Sequence, residues 1–239
     1  MTITLTKLTQ EKDGMPGWVA YPNAPGPHPA VLMLHHAPGL TGDYKYHCAR
    51  LAQAGYAVFV PSTFNQLGFA GDSHYGMGAD IQAQKNDAEF LRVYREALDW
   101  LKSRPYVDPK RVAVLGHCLG GRVGIPFAAD NPDIAALILF YASIRDEPET
   151  PARPRHATRT AKLVKCPTQV FYGGVDSITT NKTQLALQQS FLESGAEFEW
   201  HFWSFGLHGF ATIDSDSYQP DIGRVAWVLV DDFLERRLK

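Results

Sequence analysis

The chain has 239 residues, 45% of them hydrophobic and 20% charged, a size and makeup that suit one α/β domain with a sizeable core and exclude a chain disordered throughout. Lys and Arg number 23 against 25 Asp and Glu, so no net field draws the protein toward nucleic acid or an anionic membrane. The opening MTITLTKLTQEKDG has no apolar signal core, and the apolar run AALILFYA at 135–142 is far short of the ~20 residues that span a bilayer; the expectation is a cytoplasmic protein acting on a small molecule, as a monomer or small homo-oligomer.

In chain order, segments at about 3–8 and 17–21, with Asp13-Gly14 between them, predict an N-terminal hairpin at a sheet edge. VLML (31–34) follows and runs into the loop His35-His36-Ala37-Pro38-Gly39, with a helix over about 43–54. AVFV (57–60) is the next strand. The long helical pattern over 80–103 places Phe90, Leu91, Tyr94, Ala97, Leu98 and Leu101 on one stripe, and Arg104-Pro105 ends it. VAVL (112–115), a helix over 119–130 and ALILFY (136–141) continue the alternation.

Residues 144–165 break the rhythm. They hold three prolines and, after Pro151, five Lys or Arg residues, which reads as an irregular excursion: a solvated loop, or a flap over a site at the strand ends. QVFY (169–172), a helix over 180–194, FEWHFW (198–203) and a helix over 221–238 complete the chain. Most strands are apolar on both faces, and β and α alternate, so the fold class is α/β: a doubly wound, mostly parallel sheet with helices on both faces, built as one domain over 1–239. Sites in such sheets lie at the C-terminal ends of the strands.

Cys48, Cys118 and Cys166 are an odd number at wide spacing, which fits free thiols rather than a disulfide framework or a zinc site. Cys118 differs from the other two in its setting, strand then Gly116-His117-Cys118-Leu119-Gly120-Gly121 then helix. That is the form of a nucleophile elbow, where flanking Cβ atoms would strike strand and helix and where a helix N-terminus favours the thiolate. A buried structural cysteine in a glycine turn is the plainer alternative.

A working thiol wants a base, itself oriented by an acid. Asp176 follows QVFY and His208 follows FEWHFW, so nucleophile, acid and histidine occur in the order the α/β-hydrolase arrangement requires. Taken alone, Asp176 could cap the helix over 180–194, and His208 could be an ordinary loop histidine. The backbone N–H groups of Leu119 and Ala37 are the expected oxyanion donors. His36, Arg122, Tyr141 and Phe210 are candidates for substrate contact, with Phe64 and Tyr75 as further aromatic neighbours. Adjacent His35 and His36 point to opposite faces and have no carboxylate or thiol at ligand spacing, so no metal and no cofactor are expected. His117 is expected to be packed and hydrogen-bonded.

With GHCLGG around Cys118, AGYAVFVPSTF, FYGGVDSITT around Asp176, GLHGF around His208 and the C-terminal VLVDDFL, the chain resembles the dienelactone hydrolases (carboxymethylenebutenolidases) of the α/β-hydrolase fold. The resemblance implies a Cys–Asp–His triad and metal-independent hydrolysis of an activated ester or lactone through a thioacyl-enzyme. Two places depart from it. Where the family has a glutamate that engages the resting thiol, this chain has His36; where it has an arginine four residues past the histidine, this chain has Thr212. Arg153, Arg155 and Arg159 lie on the excursion but not at that matched place. A thiol redox sensor and a non-catalytic binder on the same fold are the rival readings.

Overall fold

A computed structural model describes all 239 residues. Eight strands form one sheet: β1 (Ile3–Leu8), β2 (Gly17–Pro22), β3 (His28–Leu34), β4 (Ala57–Pro61), β5 (Val107–His117), β6 (Ala136–Phe140), β7 (Thr168–Val175) and β8 (Phe198–Leu207). Their order across the sheet is β1-β2-β4-β3-β5-β6-β7-β8. The pairings from β4 through β8 are parallel, and β1 and β2 join antiparallel at one edge. The centre is fully buried, as strands apolar on both faces require, whereas β8, an edge strand, is half-exposed.

The helices are α1 (Gln10–Asp13), α2 (Gly42–Gln53), α3 (Thr63–Gln66), α4 (Gly78–Gln84), α5 (Asp87–Lys102), α6 (Leu119–Asp130), α7 (Ala157–Thr160), α8 (Asn181–Ser194) and α9 (Pro220–Leu238). α2 and α9 pack together, through Arg50 on Asp231 at 2.8 Å and the His47 ring stacked on Trp227 at 3.8 Å. α5, α6 and α8 cover the opposite face. The layering is that of a doubly wound α/β fold, and none of its helices is long and apolar enough to cross a membrane.

Three elements differ from the sequence expectation. The helix predicted over 80–103 is two helices, because Asn86 accepts from the Glu89 N–H while Glu89 accepts from the Asn86 N–H. This capping box starts a new helix where the apolar stripe alone gave no break. The N-terminal hairpin is not joined by a tight turn: α1 fills the connection and Gly14, at φ 70°, ends it. Within 144–165 the chain is irregular only to His156; α7 and a 3₁₀ turn (Ala161–Leu163) follow. Arg155 bonds Asp130, the last residue of α6, through two 2.7 Å contacts, and Arg159 reaches Glu149 at 2.9 Å, which ties the excursion to the C-terminal end of α6 and to itself.

Candidate active site

The end of β5 turns into α6 at Cys118, which has φ 51° and ψ −111°, a left-handed conformation that a side chain rarely adopts. The neighbours explain why the turn is held. A Cβ on Gly116 would lie 2.5 Å from the Gly120 carbonyl oxygen, and one on Gly120 would lie 2.2 Å from the Leu34 oxygen. Only glycine lets α6 approach the sheet this closely. The Cys118 N–H donates to Phe140 O, and the Ser143 N–H donates to Cys118 O at 2.9 Å, so β6 fixes the turn from the other side. The sulfur therefore stands at the N-terminus of α6, just past the sheet's C-terminal edge.

Asp176 and His208 meet across β7 and β8. The His208 Nδ1–H donates to both Asp176 oxygens, at 3.0 and 2.9 Å. Asp176 Oδ1 also accepts the N–H groups of Ile178 and Thr179 at 2.8 Å each, which sets the carboxylate's orientation before the imidazole arrives. The cap of α8 is Thr180, whose side chain accepts from the Thr183 N–H, so Asp176 is left to the histidine rather than to the helix. Tyr141, at φ 35°, lays its ring against His208 at 5.2 Å and shares a 2.7 Å hydrogen bond with Thr212. The loop carrying His208 and Thr212 is held below by Asp43, which accepts the Ile213 N–H at 2.9 Å.

His208 Nε2 is buried and has no hydrogen-bond partner of ordinary geometry; it faces the Cys118 sulfur. Burial opposes charge on both groups, yet each sustains the other. The thiolate opposite His208, with Asp176 behind it, pushes the imidazole up to about 10. Burial raises the Cys118 thiol, but the facing imidazolium, the Ala37 N–H and the Ser143 hydroxyl together outweigh it and leave the thiol below its ordinary value. Both shifts run toward a thiolate facing an imidazolium. Cys48 and Cys166, buried without such partners, are instead pushed upward.

Other expected residues have varied placements. The Ala37 N–H faces the sulfur, and Leu119 is the first residue of α6, where an N–H has no partner within the helix. His36 lines the same cavity as His208, with Nε2 at 3.4 Å from Thr41 Oγ1; burial lowers it to about 4, so it is neutral. Arg122 lines a cavity at Cys118, but its guanidinium is spent on Asp87 at 2.9 and 3.1 Å. Phe210 corrects the sequence expectation: it is fully buried against Phe140, Tyr141 and Trp203 and lines neither cavity at Cys118. Phe64 likewise packs inward, on His35 and Phe90. Tyr75 is 60% exposed at the cavity rim, its hydroxyl donating to Asp214.

His117 is packed as expected, stacked on Phe140 at 4.8 Å, but neither ring nitrogen has a hydrogen-bond partner. Its strand position between Tyr44 and Trp227 surrounds it with rings rather than acceptors. Ser143, which sequence reasoning missed, reaches the sulfur from the end of β6; its one signal is its place just past the C-terminal end of a central strand.

Two cavities meet at Cys118, of about 460 and 640 Å³. Both touch Ala37 and Ile178, and only the larger touches His208.

The family model described as the dienelactone hydrolase family matches residues 15–238. A relative from Yersinia pestis named "Putative carboxymethylenebutenolidase" is 25% identical over 225 residues, covering 93% of this chain and 84% of its own; one of the same name from Aquifex aeolicus is 25% identical, covering 96% and 97%. Among solved structures, a "Putative Dienelactone Hydrolase" from Klebsiella pneumoniae superposes with a TM-score of 0.86 at 24% identity, covering 98% of this chain and 99% of that one. A dienelactone hydrolase-like promiscuous phosphotriesterase from metagenomic libraries superposes at 0.77 with 20% identity, covering 100% and 99%. The fold is that of these α/β hydrolases, and the chain belongs to the dienelactone hydrolase family.

Proposed function

We propose that the protein hydrolyses activated esters or lactones with Cys118 as nucleophile, His208 as general base and acid, and Asp176 as the group that holds His208. The observation that carries this reading is the convergence at one strained strand-to-helix turn. The sulfur sits at a helix N-terminus, with an imidazole opposite it that is fixed from behind by a buried carboxylate.

In the first half-reaction the Cys118 thiolate adds to the carbonyl carbon, and the carbonyl π pair moves to oxygen. The N–H groups of Ala37 and Leu119 receive that oxyanion. Collapse breaks the bond to the leaving oxygen, which takes the proton from His208 Nε2 and departs as the alcohol. In the second half-reaction His208 takes a proton from water, hydroxide adds to the thioester, and collapse returns the thiolate and releases the acid. A thiolate leaves more readily than an amine, so an amide's tetrahedral adduct reverts while an aryl or enol ester goes forward; peptidase activity is expected to be slight.

A slow acyl donor followed by intact-protein mass spectrometry tests the reading. An acyl group on Cys118 that then hydrolyses is the expected result, together with loss of aryl-ester turnover in Cys118→Ala. Undiminished turnover in that variant, folded, sinks the assignment; a stable sulfenate after peroxide without acyl turnover favours a redox sensor.

A further inference from the structure

The two cavities that meet at Cys118 differ in chemistry as well as in position. The smaller, on the side of the excursion, has Arg145 and Arg153 in its wall against Glu147 and Glu149. The larger, on the His208 side, has the carboxylates of Asp214 and Asp216 and no Lys or Arg at all. Hydroxyls of Ser177, Ser215 and Ser217 line it as well, and the exposed Tyr75 ring stands at its rim, tied to Asp214 at 3.3 Å. His36, the remaining basic side chain there besides His208, is neutral because burial holds it down at about 4. With two carboxylates and no Lys or Arg, the wall on the His208 side is acidic.

Position assigns each cavity to one half of the substrate, an argument that rests on the nucleophile reading above. The leaving oxygen must receive its proton from His208 Nε2, so the alcohol half lies in the cavity that His208 lines. The acyl half, bonded to sulfur, extends into the cavity that Cys118 lines and His208 does not. We infer that the site is built for an open-chain ester with a substituent on each side of the carbonyl, and that its alcohol half is cationic, an ammonium or quaternary ammonium group held by Asp214, Asp216 and the Tyr75 ring. A cation there gains from two carboxylates and an aromatic face, whereas an anion is repelled by the same two carboxylates.

Three acetate esters of meta-substituted phenols isolate the effect: the trimethylammonium ester, its neutral tert-butyl isostere and the carboxylate. Each kcat/KM is divided by the ester's alkaline hydrolysis rate, which removes the difference in leaving-group activation. The cationic ester is expected to exceed its neutral isostere roughly fivefold, the sum of two exposed ion pairs, with the carboxylate ester slowest and the ratio shrinking at high salt. In D214N/D216N the cationic-to-neutral ratio falls toward one. Moving the trimethylammonium group to the acyl side, with phenol as the leaving group, is expected to abolish the advantage.

Equal rates for cationic and neutral esters, or a carboxylate preference, overturn the inference. So does an advantage that persists wherever the cation sits, since that would report the general field of the chain. The charge ratio is read from turnover and the nucleophile from the mass of Cys118, so the two readings fail separately: turnover with no adduct on Cys118 refutes the nucleophile alone, and no turnover of any ester refutes both.

Discussion

His117 offers a quantitative test of how the buried site region is built. It is fully buried, stacked on Phe140, and has no hydrogen-bond partner on either nitrogen. Burial holds its imidazole at about 3, far below the ordinary 6.5. Above pH 6.5 the ring is neutral in folded and unfolded chains alike, and the stability linked to it is complete. As pH falls below 6.5 the unfolded chain binds a proton that the folded chain refuses, so stability is lost progressively toward pH 3. Between pH 7 and 5 this one group accounts for about 2 kcal/mol, from 1.36 kcal/mol per unit and the unfolded-state titration at 6.5.

His117→Leu, of similar volume, removes the titration, and any packing cost of the change is the same at both pH values and cancels. His35 and His36, each held at about 4 by burial, lose stability in the same direction in both proteins. Urea unfolding at pH 7 and pH 5 therefore reads His117 alone: the wild type should lose about 2 kcal/mol more than the variant. The same loss in both proteins would show that the ring is solvated or partnered and that the reasoning fails.

Alkylation of Cys118 by iodoacetamide should have its pH midpoint below that of an ordinary thiol in the wild type, because the imidazole opposite favours the thiolate. In His208→Gln its midpoint should rise toward the ordinary thiol value; identical pH profiles would refute the ion pair. Asp176→Asn should lower kcat by two orders of magnitude or more at nearly constant fold stability, because an amide cannot hold His208 in the tautomer that faces the sulfur. Gly120→Ala sets a methyl 2.2 Å from Leu34 O, and thermal denaturation should show a loss of several kcal/mol or failure to fold; a variant of unchanged stability would show that α6 can retreat. Tyr141→Phe, which strips Thr212 of its buried partner, should destabilise by about 1–2 kcal/mol in chemical unfolding, with reduced kcat as His208 loses its restraint.

What the sequence determined by itself was the part governed by local rules. The alternation of doubly apolar strands with amphipathic helices dictated the layered sheet, since each pattern can bury its apolar face in only one way. The glycines at 116 and 120 announced the turn at Cys118, because backbone sterics act between near neighbours in the chain. The order of Cys118, Asp176 and His208, each just past a strand, carried the resemblance to the family that the chain belongs to. The capping box at Asn86–Glu89 was equally legible, but the apolar stripe beyond it drew the helix too long.

Tertiary structure decided everything that depends on which distant side chains meet. Arg122 reads as a free cation near the elbow until Asp87, 35 positions away, takes its charge. Phe210 stands two residues past His208, yet its ring turns into the core beside Trp203. Ser143 and the Tyr141–Thr212 bond, across 71 positions, join the site only because β5, β6 and β8 end along one edge. The division of the space around Cys118 into a cavity walled by arginines and one walled by aspartates arises where the excursion after β6 and the loop after β8 approach the elbow from different sides. No local pattern encodes that separation, because it is set by the packing of segments whose sequences carry no record of one another.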